Sequence, residues 1–516
     1  MIAKVNTAAL LGIEAHLVDL EVDLARSGLP AFTLVGLAEG AVRESKERVL
    51  AALKNANFRL PPSRITVNLA PAALRKEGSA YDLPLALCLL AASETIPTER
   101  LSGWFMAGEL SLDGTLKPVP GILPLAILAR DQGARGLLVP RQNAAEAAVV
   151  QGLAVYGVES LAQAVRLITG EDVLEPTVVD VEAIWAAQAA AEHLGDFAEV
   201  KGQDHAKRAI EIAAAGGHNL LFIGPPGSGK TMLSQRIPTV LPPLSFEEAL
   251  EVTKIYSVAG MLPREAPLIV SRPFRSPHHT ISDAGLIGGG VFPRPGEVSL
   301  AHRGVLFLDE LPEFKKHVLE VLRQPLEDGQ VTISRAALAL TYPSDLMLVA
   351  AMNPCPCGYL TDDRHVCSCQ PAGILRYRSR ISGPLMDRID LQVEVPAVPY
   401  EDLQAPAGTR DSATMRAAII AVRGIQAQRY AGLHLRLNSE LSGAHLERWC
   451  AVAEPEQKFL ERAVSRLGLS ARAYTRVLRI ARTIADLEAS ERIEIPHLAE
   501  AINFRTMDRV GSQGQG

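Results

Sequence analysis

A chain of 516 residues with 48% apolar and 21% charged positions is too long for one core and too apolar for disorder, so several folded domains are expected. Its formal net charge of −6 excludes a globally basic surface and leaves any nucleic-acid contact to a local basic patch. The longest apolar runs are interrupted and fall short of the roughly 20 residues of a membrane helix, and the alternating, acid-containing start does not read as a signal peptide, so no membrane contact is expected. Six cysteines, four of them clustered, suit a reducing cytosol, hence a cytoplasmic protein, better than a disulfide framework.

Residues 1–172 alternate strand and helix patterns and read as an α+β domain. The run Leu17-Val-Asp-Leu-Glu-Val-Asp-Leu24 has period two, as a half-buried strand should. Residues 32–36 and 65–69 are further strands, with an amphipathic helix over 41–55 between them and a buried helix over 82–93 beyond. Short strands follow at 137–140 and 155–158. Residues 173–199, with an Ala/Glu-rich helical stretch at 181–193, read as a linker.

A nucleotide domain is expected over 200–395. The apolar strand Leu220-Leu-Phe-Ile223 leads into Gly224-Pro225-Pro226-Gly227-Ser228-Gly229-Lys230-Thr231, and Met232 continues as a helix. Glycines let backbone N–H groups wrap phosphates, the helix N-terminus adds positive potential, Lys230 reaches the β/γ-phosphates and Thr231 Oγ holds Mg²⁺. Such a strand–loop–helix binds a nucleoside triphosphate, ATP being the expected one. Val305-Leu-Phe-Leu-Asp309-Glu310 is a buried strand ending in two acids, Asp309 for Mg²⁺ through water and Glu310 to polarise the attacking water. A third strand, 346–351, ends near Asn353, a polar group able to orient that water. His278 and His279 are expected to be structural or hydrogen-bonding histidines, not metal ligands.

Cys355-x-Cys357 and Cys367-x-Cys369 place four thiols within fifteen residues, enough for a structural Zn²⁺ site; C-x-C is tighter than the usual spacer, so a free-thiol loop stays open as the other reading. Cys88 and Cys450 stand alone and read as core or surface thiols. After a proline-rich stretch, residues 396–510 are expected to be helical, and 511–516 to be a disordered tail.

The order phosphate loop, Asp309-Glu310, Asn353, then Leu385-Met-Asp-Arg388-Ile-Asp390 resembles AAA+ ATPases of the helix-2-insert type, the branch that includes magnesium chelatase ATPase subunits and MCM helicases. The likeness narrows over Arg272-Pro-Phe-Arg-Ser-Pro-His-His-Thr280, Gly288-Gly-Gly290, Arg294-Pro-Gly-Glu-Val-Ser-Leu-Ala-His302 and Asn353-Pro-Cys-Pro-Cys-Gly358. These strings resemble the magnesium-chelatase-like YifB/ComM family, and the resemblance spans nearly the whole chain. It implies an AAA+ core with a helical lid, assembly as a homo-hexamer, and branch migration on single-stranded or branched DNA during natural transformation. It makes Arg388 an arginine finger donated by a neighbouring subunit. In the lid, Ser470-Ala-Arg472 resembles a sensor 2 start, with Arg472 the expected nucleotide contact and Arg476 the alternative. Val331-Thr-Ile-Ser-Arg335-Ala-Ala-Leu338 occupies the place of a pore hairpin, with Arg335 near its tip as the expected DNA contact; Arg272, Arg275 and Arg294 would serve a second mobile loop at Gly288–Gly290.

The first domain resembles the proteolytic domain of Lon. Ala107-Gly-Glu-Leu-Ser-Leu-Asp-Gly114 and Pro118-Val-Pro-Gly-Ile-Leu123 track the Lon string that holds the catalytic lysine, yet Leu123 stands in the lysine's place. A serine needs a neighbouring base, so Ser79 is expected to be a helix N-cap and the domain a non-proteolytic scaffold. Two other functions compete: a chelatase-type motor subunit, and a protein unfoldase, which would want an aromatic pore loop that the Arg335 hairpin lacks.

Overall fold

The computed structural model describes residues 1–26, 29–36, 40–190, 195–263, 265–290, 293–335, 338–362, 364–399, 401 and 410–505, without the side chains at 41, 188–190, 335 and 338. The expected tail at 511–516 therefore lies outside the described residues. The chain divides into two compact units, Met1–Ala189 with Phe246–Val270, and Ala190–Ser245 with Ser271–Gly516.

In the first unit β1 (Ile2–Leu11) and β2 (Glu14–Ala25) form an antiparallel hairpin. β3 (Ala31–Val35), β4 (Arg64–Ala70), β5 (Trp104–Met106), the small ribbon β6 (Glu109–Leu110) and β7 (Leu116–Lys117), β8 (Gly136–Pro140) and β9 (Val155–Val158) follow. Seven of these make one sheet in the order β3-β4-β2-β1-β5-β8-β9. β1 escapes sequence reading because Ala3, Val5 and Ala9 are its core-facing apolar residues, too small to make a strong period-two signal. The β1-β5-β8-β9 half is parallel, with helices Ile122–Asp131 and Arg141–Ala148 as crossovers, so the unit mixes α/β with the expected α+β pattern.

Helix Asp82–Ala92 is buried at every position, which explains why it reads as a uniformly apolar run. Ser79 is not its N-cap: Tyr81 holds that position, and the Ser79 hydroxyl donates to Glu109. Asp82 fills the helix start instead, accepting from Arg48 at 2.7 and 3.0 Å and from the Leu110 N–H at 3.2 Å. Helix Phe246–Ala259, distant in sequence, joins this unit through Lys254 on Glu14 (3.1 Å), the Gly121 N–H on the Ser257 carbonyl (3.0 Å), and the Ser257 hydroxyl on buried Glu146.

The second unit is built on β10 (Leu220–Ile223), β11 (Phe274–Arg275), β14 (Val305–Leu308), β17 (Met347–Met352) and β18 (Leu391–Glu394), all parallel in the order β11-β14-β17-β10-β18. Between them lie two ribbons, β12 (Gly288–Gly289) with β13 (Arg294–Pro295), and β15 (Gln330–Arg335) with β16 (Leu338–Pro343). β10, β14 and β17 are buried throughout, as strands covered on both faces must be. Helices Asp204–Gly216, Lys230–Val240, Ser412–Arg429 and Ala471–Leu487 share their apolar core. A buried polar knot fastens the last two: Asp486 accepts from Arg429 at 2.8 and 2.5 Å, from Arg482 at 3.1 Å and from Asn438 at 2.9 Å.

Candidate nucleotide site

Ile223 pairs with Met352 and Glu394 in register, and Leu308 pairs with Ala350, so three strands deliver their next residues to one carboxyl edge. That edge of a parallel sheet is where ligands bind. β10 opens into the phosphate loop there, β14 into Asp309 and Glu310, and β17 into Asn353.

The loop's glycines are conformational requirements. Gly227 and Gly229 sit at φ +75° and +90°, and a Cβ on Gly224 would stand 2.1 Å from the Val395 carbonyl oxygen. The loop wraps onto the N-terminus of helix Lys230–Val240, whose N-cap is Gly229. Met232 lies on the helix's first turn. Lys230 is 9% exposed and donates to the carbonyls of Gly224 (2.7 Å) and Pro225 (2.9 Å) and to Asn353 Oδ1 (3.3 Å). Burial pushes its ammonium below the usual lysine range, partly opposed by the charge of Asp309. Thr231 Oγ1 donates to Asp309 Oδ2 at 2.7 Å, bringing together a hydroxyl and a carboxylate of the hard-oxygen kind that Mg²⁺ takes.

Glu310 follows in the left-handed region at φ +51°, and its carboxylate lies 3.5 Å from His279 Nδ1. His279 lies beside His278, with ring centroids 4.1 Å apart and the rings tilted by 34°, and His278 Nδ1 engages the Thr280 hydroxyl at 2.9 Å. The approach of His279 to Glu310 was not legible in the sequence.

The arginines fall elsewhere. Among the described residues Arg388 has no hydrogen bond to Lys230, Thr231, Asp309 or Asn353; it engages Glu327 and the Pro384 carbonyl (2.7 Å). Arg472 donates to Asp387 at 3.0 Å, and the more buried Arg476 lies 3.7 Å from Asp387 and 3.4 Å from Asp390. Both sensor 2 candidates thus neighbour the Arg388 segment. Asp390 is held below the usual carboxylate range: burial pushes it up, but the hydrogen bond from His218 and the charges of His218, Arg476 and Arg479 outweigh that.

Arg335 ends β15, paired with Leu338 across residues 336–337, which lie outside the described residues together with the Arg335 side chain. Two other arginines correct the expectation of a mobile basic loop. Arg272 staples the Pro242 and Arg303 carbonyls at 2.5 and 2.7 Å, and Arg275 forms a two-point pair with Glu297 at 2.6 and 2.7 Å. Such fixed, paired guanidiniums are spent on structure.

The four clustered thiols converge. Their sulfurs lie within 4.8 Å of one another, with Cys355–Cys357, Cys355–Cys367 and Cys357–Cys367 at 3.3, 3.7 and 3.6 Å. Four Zn–S bonds of about 2.3 Å would set tetrahedral sulfurs roughly 3.8 Å apart, so the set fits that ion. Cys88 and Cys450 are buried, which pushes both thiols up to about 12.

Family models described as magnesium chelatase, subunit ChlI, subunit ChlI of Mg-chelatase, and the ChlI C-terminal region match residues 196–403, 20–143 and 409–505. Competence protein ComM of Haemophilus influenzae is 45% identical over 99% of this chain and 98% of its own length. The chain belongs to the YifB/ComM family. An uncharacterised YifB of Salmonella typhimurium is 42% identical over 99% of the chain, whereas the magnesium-chelatase 38 kDa subunit of Cereibacter sphaeroides is 25% identical over only 31% of it. It is a magnesium-chelatase-like AAA+ protein of the YifB/ComM family, and Lys230 meets Asn353 and Thr231 meets Asp309 at its β10–β14–β17 edge. Among the described residues no helix is long and apolar enough to cross a membrane.

Proposed function

We propose that this chain is an ATP-hydrolysing, homo-hexameric ring motor in the cytoplasm that translocates on DNA and promotes branch migration when incoming DNA is recombined during natural transformation. The observation that carries the reading is the convergence of Lys230, Thr231, Asp309 and Asn353 on one sheet edge, in a chain similar end to end to a protein named for competence. Lys230 and the loop N–H groups hold the β- and γ-phosphates, Glu310 polarises the attacking water and Asn353 orients it. Thr231 and Asp309 would hold Mg²⁺, which supplies charge neutralisation at the phosphates when bound. Arg388 acts on the neighbouring subunit's nucleotide, with Arg472 or Arg476 beside it, and Arg335 contacts DNA. Residues 396–510 form the lid, residues 1–172 a non-proteolytic Lon-like scaffold, and Cys355, Cys357, Cys367 and Cys369 hold a structural Zn²⁺.

Steady-state ATPase rates with and without single-stranded and forked DNA test the reading, comparing the parent with Arg335→Ala and Glu310→Gln. DNA stimulation lost in Arg335→Ala with basal hydrolysis intact is expected, and Glu310→Gln should be inactive throughout. Hydrolysis indifferent to every DNA tried would refute the DNA motor. It would favour the second reading, a chelatase-type motor subunit, which has the ChlI matches on its side and partial coverage of the chelatase subunits against it.

A further inference from the structure

The cysteine cluster is not a detached knob; both of its legs end on residues of the nucleotide site. On the first leg, the residues after β17 run Asn353-Pro-Cys-Pro-Cys-Gly358. Gly358 turns at φ +88° with its N–H on the Cys355 carbonyl at 3.0 Å, and a Cβ added to it would stand 2.7 Å from Cδ of Pro226. The turn that closes the first Cys-x-Cys pair therefore lies against the phosphate loop. On the second leg, Cys369 leads within two residues into helix Pro371–Arg378. That helix comes back to Asn353 and Pro354: Arg378 donates to the Pro354 carbonyl at 3.3 and 3.2 Å, and the phenol of the buried Tyr377 approaches the Asn353 backbone. Asn353 in turn meets the Lys230 ammonium.

We propose that a divalent metal at Cys355, Cys357, Cys367 and Cys369 is a positioning element of the nucleotide site. By tying the two legs together it holds Gly358 against Pro226 and Asn353 against Lys230, and so raises the affinity for nucleotide. The proposal rests on the zinc reading above. A metal that served only its own loop would leave nucleotide affinity untouched.

The experiment uses the full chain. Metal analysis of purified protein should find one zinc per chain. Zinc is then stripped with a chelator under reducing conditions, the chelator is removed and Mg²⁺ restored. The Kd for a fluorescent ADP analogue should weaken by about tenfold or more, within the usual range of site–site coupling, and return on adding zinc. Linkage demands reciprocity, so saturating Mg–ADP should tighten zinc retention against a chromogenic chelator by the same factor. Gly358→Ala keeps all four thiols: it should retain zinc at full stoichiometry yet bind the analogue more weakly, which separates positioning from loss of the metal. Equal Kd values for stripped and reloaded protein, with zinc present at the start, would overturn the coupling while leaving the zinc site standing. No zinc in the purified protein and none retained on addition would overturn the zinc reading itself, and metal analysis reports that separately.

Discussion

Arg388→Ala should stop hydrolysis without unfolding the chain, and the structure says why the two effects part. The guanidinium is 16% exposed, donates to the Pro384 carbonyl at 2.7 Å, and pairs with Glu327, itself 65% exposed. Losing a charged hydrogen bond costs about 1.5–3 kcal/mol, and an ion pair with so exposed a partner about 0–1 kcal/mol. Against this, Arg388 Nε is already buried with no hydrogen-bond partner among the described residues, a burden of about 1–3 kcal/mol that truncation relieves. Stability should change by only about 1 kcal/mol. If the group serves a neighbouring active site, kcat should fall by about 10³–10⁵-fold, equivalent to roughly 4–7 kcal/mol of barrier. Mixing decides where it acts. An Arg388→Ala subunit keeps Glu310, and a Glu310→Gln subunit keeps the arginine. In randomly mixed rings at equal amounts, roughly one interface in four combines an intact Glu310 with an arginine from next door. ATPase activity should therefore reappear on mixing two dead proteins. With subunit exchange verified by mass, no recovery would refute donation in trans and place the arginine's effect within its own chain.

Lys230→Met should abolish nucleotide binding, measured by titration with a fluorescent analogue, without lowering the melting temperature of nucleotide-free protein, because burial already disfavours that ammonium. Asp486→Asn weakens the carboxylate between Arg429 and Arg482, whose side chains are 12% and 3% exposed; a cost of about 3–5 kcal/mol should cut hydrogen-exchange protection of helix Ala471–Leu487 a hundredfold or more. Glu440 is pushed up to about 7, by burial first and Asp345 second. A carboxyl whose folded pKa is raised contributes stability that is complete below its unfolded value and lost as pH rises through 7. Glu440→Gln should therefore match the parent near pH 4.5 and exceed it above pH 7 by at most ~3 kcal/mol, read from urea midpoints at both values.

Much of the candidate nucleotide site was legible because its chemistry is local. The loop Gly224–Thr231 needs its glycines for backbone angles and close approach, and those needs are written in consecutive residues. Buried parallel strands likewise announce themselves as apolar runs, and residues 220–223 and 305–308 match β10 and β14. What failed was local too, but weak. Alanine-rich β1 carries little periodic signal, and Ser79 resembles a cap only until its hydroxyl is seen to donate to Glu109. Arg272 and Arg275 look like a basic loop until their carbonyl and carboxylate partners, 31 and 22 residues away, are brought to them.

Sequence alone determined the phosphate-loop motif, the order of the acids and Asn353 that follow it, and the two Cys-x-Cys spacings, because each depends on residue type and spacing along one stretch of chain. Only the tertiary structure decided that Thr231 meets Asp309, that Glu310 has His279 beside it, that Arg472 and Arg476 share Asp387 next to Arg388, and that Gly358 presses on Pro226. Those contacts join residues from 31 to 132 positions apart or bridge separate strands. Strand order sets them, and strand order comes from how buried faces pack, which no local pattern encodes.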